Sequence, residues 1–169
     1  MPLKSLRFAL VALALGSLVY AGAPVNLARK ATVTADSAYN GQYQAKFATD
    51  GAIPKPMGKA DVGKAWVVKG TTHGQRARIT FTWKEPVTVA EAVYWGRTGW
   101  HWGENFRNYE VYLDDAKTPA LKGTLKAGHG GQRITLPKPT TVKTLAIQFT
   151  SSYGGPNPGA SEIQIFAQA

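Results

Sequence analysis

Between Gly96 and Asn108 the chain gathers Arg97, Trp100, His101, Trp102, Glu104, Asn105 and Arg107. Rings, guanidinium groups, an imidazole and an amide in one short stretch suit recognition of a polyhydroxylated ligand. A pyranose has an apolar C–H face that stacks on an aromatic ring, and a rim of hydroxyls that needs planar donors and mixed donor-acceptors. A second stretch, SSYGGPNPGAS from Ser151 to Ser161, holds Tyr153 as its sole aromatic residue. The ligand-binding set read from these residue types is therefore Arg97, Trp100, His101, Trp102, Asn105, Arg107 and Tyr153. The alternative for Trp100 and Trp102 is that they fold back as a lid over the end of the domain, since large rings favour partial burial.

Catalytic patterns are missing. His73, His101 and His129 each sit in a glycine-containing loop, and none belongs to a pair with metal-binding spacing. No serine stands in a G-x-S-x-G elbow. Glycoside hydrolysis needs two carboxyl groups across a cleft, but Glu104 is the one acid in the aromatic stretch and Asp114 and Asp115 are adjacent turn residues. The expectation is a binding protein without enzymatic activity.

The elements that must hold these residues are strands. In RARITFTW, residues 76–83, Ile79, Phe81 and Trp83 share one face while Arg78, Thr80 and Thr82 share the other. Leu145, Ile147 and Phe149 alternate in the same way, as do Ile163, Ile165 and Ala167, and Ala31, Val33 and Ala35 near the start. Val87 to Trp95 and Asn108 to Asp114 read as strands on either side of the aromatic stretch. Lys84-Glu85-Pro86, Asp115 to Thr118, Gly128 to Gly131 and Pro137 with Pro139 read as breaks. Tyr43 to Asp50 has room for one helical turn, with Tyr43, Phe47 and Ala48 inward. The sum is eight or nine short strands with almost no helix: an all-β, antiparallel β-sandwich in a single domain. The aromatic stretches then become loops at sandwich ends, held by the strands they join.

Lys4 and Arg7 followed by the apolar run Phe8 to Val19 have the form of a secretory signal, too short for a comfortable membrane span. Cleavage is expected after Ala21, since a cut after Ala23 would put Pro24 next. Residues 1–21 are then the signal peptide and 22–169 the domain, secreted or periplasmic. The chain has no cysteine, so its core or a metal must hold it together without disulfides. Its formal net charge is +10, with the basic residues scattered rather than run together. That argues against a nucleic-acid arm and for attraction to an anionic polysaccharide or cell surface.

The segments NLARKATVTAD, ATDG, the tryptophan at 66, VTVAEAVYWGR, NYEVYLDD and SEIQIF, in this order, make residues 25–167 resemble the discoidin or coagulation-factor C-type domain. This is the galactose-binding-like jelly roll that includes bacterial carbohydrate-binding modules. The resemblance implies ligand loops at one end of a sandwich and a structural calcium ion near the Asp-Gly turn. Asp50 and Glu162 match the family's calcium-binding acids, and Asp61 lies in a loop within reach; Ala52 and Lys64 stand where the family often supplies further ligands. In galactose-binding members an arginine and then an asparagine contact hydroxyls, and Arg97 and Asn105 resemble that pair in order, with a longer gap between them. Those members place a histidine after the core tryptophan, where this chain has Val67, so the sugar stays open. The implied function is a secreted, lectin-like module binding extracellular or cell-wall glycan. The alternative is adhesion to an anionic membrane surface or a protein partner, as in lipid-binding members.

Overall fold

The computed structural model describes residues 23–53, 55, 61–70, 76–97, 102–128 and 130–168. The segment expected to be a signal peptide and its expected cleavage point, together with His73, Trp100, His101 and His129, lie outside the described residues.

Among the described residues seven strands form in chain order: β1 Thr32–Ala35, β2 Trp66–Val67, β3 Ala77–Gly96, β4 Asn108–Leu113, β5 Leu121–Thr124, β6 Gly131–Phe149 and β7 Gly159–Phe166. They are hydrogen-bonded in the order β2-β7-β3-β6-β4-β5, with β1 on the free side of β3, and every pair is antiparallel. β3 and β6 are long and run through both layers of the sandwich. Their halves Ala77–Thr82 and Thr144–Phe149 carry β1 and β4–β5. Their halves from Glu91 to Trp95 and from Gly131 to Thr135 carry β7 and β2.

Two breaks expected from the sequence are therefore bends within continuous strands. Pro86 falls in the register shift between Thr82 and Val87, and Pro137 and Pro139 fall between the paired residues Thr135 and Thr140. A proline cannot donate to a ladder, and here none is asked of it. The strand count drops accordingly, while the all-β sandwich stands.

The alternating faces close on one core. Ile79, Phe81 and Trp83 are buried, as are Leu145, Ile147 and Phe149 from β6 and Ile163 and Ile165 from β7. At one end the core is aromatic. Phe106 stacks on Phe149 with ring centroids 4.0 Å apart, and Trp66 and Tyr94 pack around them. Fully burying a side chain of this size is worth about 1.5–3 kcal/mol. The expected helical turn appears as a 3-10 turn, Ala45–Ala48, with Ala48 buried.

Candidate functional site

The aromatic end of the core is also where the candidate loops are fastened. The Tyr94 hydroxyl, fully buried on β3, donates to Gly159 O at 2.7 Å and accepts from Phe106 N at 3.1 Å. One side chain thus clamps the end of the first loop and the end of the second. Burial, only partly offset by the Phe106 N–H, drives its phenol well above the usual range, so it stays protonated and keeps donating.

From there the two loops run side by side. Arg107 N donates to Ser151 O at 2.8 Å, Tyr153 N to Asn105 O at 3.1 Å and Gly155 N to Gly103 O at 2.8 Å. The approach is close because it is glycine against glycine: a Cβ on Gly155 would stand 2.5 Å from the Glu104 side chain. Trp102 and Tyr153 emerge from this double loop 55% and 37% exposed. Tyr153 is not loose, since its hydroxyl donates to Leu125 O at 2.7 Å and the exposed Arg107 guanidinium lies 5.6 Å from its ring. The Tyr153 ring and the Arg107 cation form one surface, and Trp102 is exposed on the adjoining loop, which the bond between Gly155 and Gly103 ties to it.

Two residues expected at that surface lie beneath it instead. Asn105 is fully buried; its Nδ2 donates to Gly128 O at 3.1 Å, and its amide occupies the space above Gly96 that a side chain would fill. It has no exposed surface to offer a ligand, and it ties the loop after β5 to the other two. Arg97 is also mostly covered. Nε and Nη2 donate to the two oxygens of Asp61 at 2.7 and 2.9 Å, while Nη1 donates to Glu104 and, at 3.0 Å, to Asn157 O. Burial opposes its charge, but Asp61 and then Glu104 outweigh that and strengthen its hold on the proton. Arg97 is a strut between three loops rather than an open donor. A charge in an exposed aromatic loop reads as ligand-facing, and the acid that takes two of its nitrogens, Asp61, is distant in sequence.

The same strut corrects the assignment of Asp61 as a metal ligand, because both its oxygens are taken by Arg97. Among the described residues no three acids or histidines cluster as a metal site. Glu162 and Asp50 remain. Glu162 Oε1 accepts from Gly51 N at 3.1 Å and Asn26 Nδ2 at 3.3 Å, while its buried Oε2 has no partner. Burial first, then the charge of Asp50, pushes this carboxyl up to about 8. A buried carboxylate oxygen with no donor, beside a second acid, fits a hard cation that prefers oxygen ligands.

Sequence reasoning passed over Tyr39 and read Tyr43 only as an inward-packing residue, whereas it is half-buried. They flank an Asn40-Gly41 turn in which Gln42 N donates to Asn40 Oδ1 at 2.8 Å. The rings meet edge to face at 5.9 Å, Tyr39 is exposed, and Arg97 lies 5.7 Å from the Tyr43 ring. Two tyrosines across an Asn-Gly turn were the available signal: the turn brings flanking residues together, and nothing else in that segment needs large rings.

This sandwich, with its loops gathered at one end, is the discoidin-like jelly roll. It superposes on a family 32 carbohydrate-binding module of Clostridium perfringens NanJ, solved in complex with galactose, with a TM-score of 0.69 and 17% identity over 85% of this chain and 98% of that one. An F5/8 type C domain from Bacteroides fragilis gives 0.66 and 18% over 86% and 95%. A chitosan-binding module of a chitosanase/glucanase from Paenibacillus sp. IK-5 gives 0.59 and 21% over 84% and 98%. No curated protein sequence matches. By sequence the chain belongs to the family described as a domain of unknown function, DUF7402, whose model matches residues 26–166.

Proposed function

We propose that this chain is an exported, non-catalytic carbohydrate-binding module, freed of residues 1–21, whose ligand rests on Trp102 and Tyr153 beside Arg107. The observation that carries this reading is the hydrogen-bonded pair of loops that presents two partly exposed rings and a cation from a rigid aromatic base. Support comes also from the likeness in fold to modules solved with galactose or named for chitosan binding. Trp100 and His101 are proposed to complete the surface, being neighbours of Trp102 in sequence. Stacking on a ring adds about 0.5–1.5 kcal/mol beyond area burial, and a hydrogen bond from a charged group about 1.5–3 kcal/mol. A few such terms correspond to affinities from about millimolar to tens of micromolar. The proposed partner is glycan, anionic polysaccharide included, given the net charge of +10.

A structural calcium ion is proposed at Glu162 and Asp50, where it would pin the last strand to the turn after the 3-10 segment. Exposed Tyr39, Ile53 and Val62 favour a second reading, adhesion to an anionic membrane surface. A glycan array probed with the purified protein, alongside co-sedimentation with phosphatidylserine vesicles, separates the two. Glycan binding weakened in Trp102→Ala supports the first. Vesicle binding with no glycan signal overturns it.

A further inference from the structure

We propose that the outer face of the sheet where β7, β3 and β6 run side by side is a second binding site, for a short neutral oligosaccharide. A groove of about 640 Å³ lies there, lined by Glu91, Val93 and Trp95 of β3, Gly131 and Arg133 of β6, and Gln164 and Phe166 of β7. That volume is within the usual 300–1,000 Å³ of small-molecule sites. None of these residues belongs to the loop surface.

The register builds it. Trp95 pairs with Gly131, Val93 with Arg133 and Gln164, and Glu91 with Thr135 and Phe166. Alternate residues of a strand share a face, so Glu91, Val93 and Trp95 point away from the side that buries Ala92 and Tyr94. Half-buried Trp95 and Phe166 then mark the two ends of the groove, about four strand residues or roughly 13 Å apart. That separation exceeds one sugar ring and suits a short chain. Gly131 is required at the Trp95 end: a Cβ there would stand 2.8 Å from the indole.

Between the rings the groove is polar but electrically closed. Arg133 Nη1 donates to both oxygens of the buried Glu91, at 2.6 and 2.8 Å. Among the described residues its other guanidinium N–H groups have no partner. Gln164 Oε1 accepts from Trp95 Nε1 at 3.2 Å, which fixes the ring and leaves the Gln164 Nε2 donors without a partner among the described residues. Rings at both ends with uncommitted donors between them match the apolar faces and hydroxyl acceptors of a sugar chain. The closed Glu91–Arg133 pair removes the net charge that would select an acidic ligand. Glu91 is a positioning residue here, since it acts by holding Arg133.

This site does not depend on the loop reading, and the experiment keeps them apart. Calorimetric titrations with neutral trisaccharides and tetrasaccharides built from galactose, glucose and N-acetylglucosamine would be run on the natural protein, on Trp102→Ala, Trp95→Leu and Arg133→Lys, and on Trp102→Ala combined with each of the other two. Arg133→Lys keeps the charge opposite Glu91 but loses the fork, so it reports even if Trp95→Leu fails to fold. The expected result is binding in Trp102→Ala that falls at least tenfold on adding Trp95→Leu or Arg133→Lys. Binding abolished by Trp102→Ala alone, binding indifferent to Trp95→Leu and Arg133→Lys, or no binding to any neutral chain overturns the proposal. Binding that ignores Trp102→Ala but is lost in the groove variants upholds the groove and sinks the loop reading.

Discussion

Arg97 and Asp61 meet in a two-bond ion pair, Nε to Oδ2 at 2.7 Å and Nη2 to Oδ1 at 2.9 Å, with both side chains nearly covered. The same guanidinium reaches Glu104 and the carbonyl of Asn157, so the loops around residues 61, 104 and 157 share one anchor. Arg97→Ala strands two acids in a poorly solvated place. Removing one partner of a buried pair costs about 3–5 kcal/mol, and some remaining exposure places this pair at the lower end. For a domain of this size about 3 kcal/mol lowers Tm by roughly 6–12 °C. Differential scanning calorimetry checks it. A variant that melts like the natural protein would return Arg97 to the role of open donor.

The Tyr94 hydroxyl joins Gly159 O and Phe106 N inside the core. Tyr94→Phe keeps the ring packing and leaves both backbone groups buried and unpaired. The expected loss is about 2 kcal/mol, near the middle of the range for stranding a buried polar group. The urea midpoint should fall with an unchanged slope, since the folded state stays as compact. An unchanged midpoint would mean that water replaces the hydroxyl.

The inner faces of the strands were legible because a period of two needs no knowledge of partners: Ile79, Phe81 and Trp83 read correctly from their own segment. The continuity of β3 through Pro86 was not, because a proline's meaning depends on whether the neighbouring strand asks for a donor there. The pairing of the two loops followed from the likeness to a known jelly roll and appears as backbone bonds between residues 103–107 and 151–155. The roles of Arg97 and Asn105 were illegible for a different reason. Side-chain type announces capacity to bind, but not which distant group has already claimed it: Asp61 for one, Gly128 for the other.

Glu162 Oε2, buried without a donor beside Asp50, sets up a test of the proposed calcium site. An ion bound only by the folded state stabilises by mass action, about 2.7 kcal/mol at a hundredfold excess over Kd. Calcium should raise Tm by roughly 5–11 °C at about 2–4 °C per kcal/mol, a chelator should reverse it, and Glu162→Gln should abolish the response. Equal melting with chelator and with calcium would show that this carboxyl is simply a buried acid held by Gly51 and Asn26.

Trp102 and Tyr153 are separable from the fold to different degrees. Trp102, more than half exposed, should be removable as Trp102→Ala with little change in Tm and a loss of glycan affinity of roughly two- to tenfold, from about 0.5–1.5 kcal/mol of stacking. Tyr153 carries two duties, its ring beside Arg107 and its hydroxyl on Leu125 O. Tyr153→Phe keeps the first and drops the second, so affinity should hold within about twofold while stability falls by about 1 kcal/mol. Tyr153→Ala should lose both. Titration calorimetry and thermal melts on the three variants read the two effects independently. Affinity that follows Tm across all three would mean that the rings only support the loops, whereas affinity that follows the rings and ignores Tm would place the sugar on them.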